Sequence, residues 1–82
     1  MNEKTMLTTL DKVKLNQSAK VVRLLSTKNE IKRRLLDMGL TPGVVVHIKK
    51  IAPLGDPIDI SIRDYDLCIR KDDLKQIEVI VL

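Results

Sequence analysis

Ile58-Asp59-Ile60-Ser61-Ile62-Arg63-Asp64-Tyr65-Asp66-Leu67-Cys68-Ile69-Arg70 is the stretch on which the fold turns. Ile58, Ile60 and Ile62 alternate with Asp59, Ser61 and Arg63; Leu67 and Ile69 alternate with Asp66, Cys68 and Arg70. A strand sends successive side chains to opposite faces, so a period of two marks a half-buried strand. Two such runs this close form a hairpin. A turn at Asp64-Tyr65 pairs Ile62 with Leu67 and Ile60 with Ile69 on one face. On the other it pairs Arg63 with Asp66 and Asp59 with Arg70. Apolar partners on one side and opposite charges on the other are what such a hairpin needs. This register asks Tyr65 to adopt positive φ, which is its weak point.

Upstream, Ala52-Pro53-Leu54-Gly55-Asp56-Pro57 is a loop by its prolines and glycine. Before it, Val44, Val46 and Ile48 alternate with Val45, His47 and Lys49, which predicts another strand. Thr41-Pro42-Gly43-Val44 has proline and glycine at the central positions of a type II turn. Ile31, Leu35 and Met38 recur at helical spacing, after Thr27-Lys28-Asn29-Glu30, which fits a capping box. Gly39 is placed to end that helix in the left-handed conformation, with Leu40 folded back on Leu35. Ala19 to Leu25 reads as a strand, Leu15-Asn16-Gln17-Ser18 as a turn, and Thr9 to Val13 as one helical turn capped by Thr9. Residues 1–8 show no periodicity and are expected to be flexible, ahead of a domain over 9–82. Downstream, residues 71–75 form a polar link with a 3₁₀ turn, and Ile77, Val79 and Val81 a last strand. The fold class is therefore mainly β, with about five strands and one α-helix inserted after the first. Short strands in a small domain tend to close into a barrel, because closure hides their edges.

With 82 residues the chain holds one domain, and one of this size buries only about 60–65% of its unfolded surface. Tyr is its one aromatic residue, so Ile, Leu and Val must build the core. The net charge of +4 permits an anionic partner without requiring one. A single cysteine excludes an internal disulfide and suits a reducing compartment. No apolar run reaches the roughly 18 residues of a spanning helix, and the start of the chain lacks a signal-peptide pattern. A cytoplasmic location is expected.

Catalytic chemistry finds no support in the pattern. His47 is the one histidine, on the polar side of a strand, with no Ser, Cys or Asp at a telling spacing. His47 and Cys68 are the candidate metal donors beside the turn acids, without Cys-x-x-Cys or His-x-x-x-His spacing. No metal is required, and weak divalent binding, ferrous iron included, stays open. The glycines form no phosphate loop. Lys32-Arg33-Arg34 is basic, but single-strand nucleic-acid binding leans on stacking aromatics, and Tyr65 is the only one. Leu40 and Leu54, beside Pro42 and Pro53, are either core residues or exposed contacts.

The run Arg33-Arg34-Leu35-Leu36-Asp37-Met38-Gly39-Leu40-Thr41-Pro42-Gly43 resembles the signature of the FeoA family. The resemblance continues at Ala52-Pro53-Leu54-Gly55-Asp56-Pro57-Ile58, at Leu67-Cys68-Ile69-Arg70-Lys71 and at Ile77-Glu78-Val79, and so covers residues 9–81. The family pattern has glycine where Asn16 and Asp64 stand, and a small residue where Cys68 stands. Asn and Asp tolerate positive φ, so both turns can survive. The resemblance implies an SH3-like β-barrel with an inserted helix. It also implies a non-catalytic accessory protein of ferrous iron transport, docking on the cytosolic part of a FeoB-type membrane permease that carries a GTPase domain. A similar domain ends some metal-dependent repressors, but no helix-turn-helix precedes it here, so that role is not expected. Two docking groups follow. One is the helix end, with Leu35, Met38, Gly39, Leu40, Pro42 and Gly43. The other is the Pro/Gly loop, with Pro53, Leu54, Gly55, Asp56 and Pro57, together with Arg70. The alternatives are a ferrous-ion chaperone or sensor and a nucleic-acid-binding barrel.

Overall fold

The structure, a computed structural model, describes residues 7–82. Six strands form one antiparallel sheet: β1 (Leu7–Thr9), β2 (Ser18–Leu24), β3 (Val45–Ile51), β4 (Ile58–Ile62), β5 (Tyr65–Ile69) and β6 (Ile77–Val81). Their order across the sheet is β1-β6-β2-β3-β4-β5. A 3₁₀ turn spans Leu10–Lys12, α1 spans Asn29–Asp37 and the short α2 spans Lys71–Leu74. The architecture is mainly β and SH3-like, with one helix of more than a single turn inserted after β2. The sheet curls but stays open: β1 and β5 are its two edges among the described residues.

Aliphatic side chains alone make the core. Leu10, Leu35, Leu40, Val46, Ile48, Ile60, Ile62, Leu74, Ile77 and Val79 are fully buried, and Ile58 and Ile69 nearly so. Strands β2, β3, β4 and β6 contribute alternate residues, as a period of two requires, and β5 contributes Ile69. Bulges between Val21 and Arg23 on β2 and between Ile48 and Lys50 on β3 bend the sheet around this core.

Four local expectations are corrected. Residues 1–6 lie outside the described residues, but Leu7 and Thr8, expected to be flexible, pair with Ile80 and Val79 of β6. Three residues are too short for periodicity to declare a strand; the open edge of β6 supplies the order. The hairpin turn is Arg63-Asp64, not Asp64-Tyr65. Ile62 faces Tyr65, Ile60 faces Leu67 and Ile58 faces Ile69, and Arg63, with φ 51°, takes the positive φ expected at Asp64 and Tyr65. The shift keeps every residue on its expected face, so the alternation could not reveal it. The polar pairs become Asp59 with Cys68 and Ser61 with Asp66. The capping box does not form, because the N-cap of α1 is Lys28, without a side-chain cap. Its backbone N–H instead donates to Ser26 Oγ at 3.1 Å. Thr9 precedes the 3₁₀ turn as expected but does not cap it; its hydroxyl donates to Asp11 Oδ1.

Other local readings hold. Gly39 has φ 95°, Leu40 N–H donates to Leu35 O at 3.1 Å and Gly39 N–H to Leu36 O at 2.9 Å, the paired bonds of a Schellman end. Gly43 has φ 94° and Val44 N–H donates to Thr41 O at 3.1 Å, closing the type II turn. Asn16 has φ 68°, as its turn required.

Candidate partner-docking surface

The loop between β3 and β4 is braced by its own sequence. Pro53 presets the second position of a four-residue turn, which Gly55 N–H closes onto Ala52 O at 2.7 Å. Ala52 N–H donates to Pro57 O at 3.1 Å and joins the loop base. Asp56 Oδ1 accepts the Lys71 N–H at 2.9 Å, so the loop is also tied to the start of α2. Arg70 is the exposed N-cap of α2, next to that tie. Held in this frame, Leu54 is 96% exposed, which answers half of the open question: it is not a core residue. Pro53 and Pro57 are exposed on either side. An open cavity of about 260 Å³ lies beside them, lined by Lys50, Ala52, Pro53, Pro57 and Asp59.

The helix-end group divides. Leu35 and Leu40 are fully buried and present nothing to a partner; the Schellman end folds them into the core. Met38 and Gly39 are half-buried, and Pro42 and Gly43 are exposed. Tyr65 crosses from the hairpin and donates its hydroxyl to Met38 O at 2.7 Å. A Cβ at Gly39 would collide with that hydroxyl oxygen, so glycine is required here both by φ and by space. Sequence reasoning missed this latch, because Tyr65 and Met38 are 27 residues apart and no local pattern links them.

The candidate metal donors stay apart. His47 lies on β3 and Cys68 on β5, with β4 between them. No group of three or more His, Cys, Asp or Glu residues converges among the described residues. His47 Nδ1 is 2.9 Å from Ser18 Oγ on β2, and the tautomer decides which group donates. That serine went unrecognised because it lies 29 residues away. Across the sheet His47 faces Ser61, so no carboxylate stands beside it in register to orient the ring as a general base. Cys68 is exposed, and its hydrogen bond with Asp59 raises its thiol pKa above the ordinary value. Asp66 accepts from Lys49 Nζ at 2.7 Å, which lowers its carboxyl pKa. No helix among the described residues is long and apolar enough to cross a membrane.

A family model described as the FeoA domain matches residues 8–81. A Fe(2+) transport protein A/Fe(2+) transporter FeoB fusion protein of Porphyromonas gingivalis is 31% identical over 70 residues, covering 85% of this chain and 8% of that protein. This chain therefore corresponds to a small part of that relative. The FeoA-like protein of Clostridium acetobutylicum, solved by NMR, is 34% identical with a TM-score of 0.87, covering 96% of this chain and 91% of that one. The crystal structure of Stenotrophomonas maltophilia FeoA complexed with zinc is 28% identical with a TM-score of 0.74, covering 88% of both chains. That protein is described as a prokaryotic SH3 domain protein with a suggested role as a ferrous iron transport activating factor. On its sequence and its fold alike, the chain belongs to the FeoA family, whose members are small accessory domains associated with ferrous iron transport.

Proposed function

We propose that the chain is a non-catalytic, cytosolic accessory module of ferrous iron uptake that docks on the cytosolic part of a FeoB-type permease. Family membership and the relative that joins both proteins in one chain support this reading. The observation that carries it is Leu54, 96% exposed at the tip of a loop hydrogen-bonded at its base and to α2. An apolar side chain held in water on a rigid loop is suited to bury itself against a partner. Pro53, Pro57 and the cavity beside them supply the surface around it; Gly55, Asp56 and Arg70 complete the group, with Pro42, Gly43, Met38 and Gly39 as the second contact.

Isothermal titration against the permease's cytosolic domain tests this. Wild type binds, and Leu54→Asp abolishes binding while the fold is kept. Absence of wild-type binding, with iron uptake unchanged on deletion of the protein, rejects the reading.

Zinc on the S. maltophilia relative supports divalent-ion binding as a second reading. Here His47 lies apart from the Asp59–Cys68 pair, so either would form an incomplete, weak site. Anaerobic calorimetry with ferrous ion decides it: affinity tighter than millimolar supports a sensing role, and weaker affinity removes it.

A further inference from the structure

α1 turns Leu35 and Ile31 to the core, with Met38 at its C-cap also packed there, and leaves an unusual combination outside. Lys32 and Leu36 stand one turn apart in a row continued backwards by Lys28, and Arg33 flanks Leu36 at a spacing of three. All three cations are exposed, and Leu36, 41% exposed, follows them about one turn nearer the end of the helix. Acids that could neutralise them are available on the same helix. Asp37 stands four residues after Arg33, and Glu30 two before Lys32 and three before Arg33. None pairs with them: among the described residues the ion pairs are Arg23–Glu78, Arg34–Asp73, Lys49–Asp66 and Lys75–Asp72. Arg34 is drawn off to α2, while Lys28, Lys32 and Arg33 pair with no acid and stand on the turns before an exposed leucine.

We propose that this face of α1 is a docking surface for an acidic amphipathic helix of another protein. Carboxylates on that helix meet Lys32 and Arg33, and an apolar side chain covers Leu36. The leucine selects among anionic partners. A nucleic-acid backbone would match the cations but leave Leu36 against charged phosphates. A lipid surface would attract the cations, but one half-exposed leucine offers too little apolar chain to hold the domain there. An acidic amphipathic helix satisfies both features, with its carboxylates on the Lys32–Arg33 turn and an apolar side chain on Leu36 in the next turn. This face is separate from the Leu54 loop, and the inference does not depend on docking to the permease.

The test uses the full chain, isotope-labelled for amide NMR, and a synthetic helical peptide with glutamates four residues apart flanking a leucine. Saturable shift changes confined to the amides of Lys28, Lys32, Arg33 and Leu36 are expected. The double substitution Lys32→Glu/Arg33→Glu should weaken binding by at least about tenfold, and Leu36→Ser by several-fold. Leu54→Asp should bind the peptide as wild type does. Unchanged amide positions elsewhere establish that each variant is folded. Lack of saturable change at α1 identifies a merely solvated helix face and overturns the proposal. So does full affinity in Leu36→Ser, or tighter binding to phosphatidylserine vesicles or duplex DNA than to the peptide.

Discussion

Gly39 and Tyr65 act as one unit although they lie on different elements. The helix end needs φ near 95°, and the Tyr65 hydroxyl occupies the place of a Cβ. Gly39→Val should therefore cost about 3 kcal/mol in urea denaturation, from left-handed strain and the displaced hydrogen bond. Tyr65→Phe removes only the bond to Met38 O and should cost about 1 kcal/mol. The two sites should not add: Gly39→Ala should cost less in Tyr65→Phe than in wild type, since the hydroxyl that blocks the Cβ is gone. Equal costs in both backgrounds would show that the latch is not formed in solution. Cys68 is exposed, with a thiol pKa raised above its ordinary value. Its hydrogen bond with Asp59 favours the thiol, so thiolate appears only at a pH above that of a free cysteine. Alkylation at mildly alkaline pH should be slower than in the unfolded chain, and Asp59→Asn should accelerate it.

At the scale of elements, the loop after β3 and the start of α2 hold each other through Asp56. Asp56→Ala frees the Lys71 N–H and should cost about 1 kcal/mol, as the loss of a helix cap does. Leu54→Asp should leave stability within about 0.5 kcal/mol, because the side chain touches almost nothing. The contrast separates a residue that braces the loop from the exposed residue proposed to dock, and chemical denaturation of both variants measures it. On the outer face of the hairpin, Lys49 holds Asp66 ionised, with a folded pKa below its ordinary value. A depressed carboxyl pKa adds stability above the unfolded value and loses it as pH falls through the folded one. Both side chains are exposed, so Asp66→Asn should flatten that acid limb only slightly.

At the scale of the molecule, the open sheet makes β1 matter more than its length implies. Leu7, Thr8 and Thr9 cover the edge of β6, whose Ile77 and Val79 are fully buried. A chain beginning at Leu10 would expose that edge to pairing with other molecules. It should unfold at lower urea concentration and show concentration-dependent association in sedimentation; wild-type behaviour on both counts would mean that β1 contributes nothing. The same thin aliphatic core makes single cavities costly. Leu35→Ala should destabilise by about 2–5 kcal/mol and loosen α1, which hydrogen exchange of its amides would report.

Much was legible because it is written in short-range pattern. Alternating Ile, Val and Leu residues marked β3, β4, β5 and β6, and glycine and proline marked the helix end and the turn at Pro42-Gly43. Each of these depends on backbone preferences within a few residues. The face of every hairpin residue was equally fixed, while the register was not: sliding the pairing by two positions leaves each side chain on its face, so only the turn geometry at Arg63 decides it. What needed the tertiary structure spans distance. The Tyr65 latch, the Asp56 tie, the Ser18–His47 pair and the burial of Leu40 against the exposure of Leu54 join or separate residues that are remote in sequence. Two leucines beside prolines read identically in the sequence; the fold alone brings one into the core and leaves the other in water.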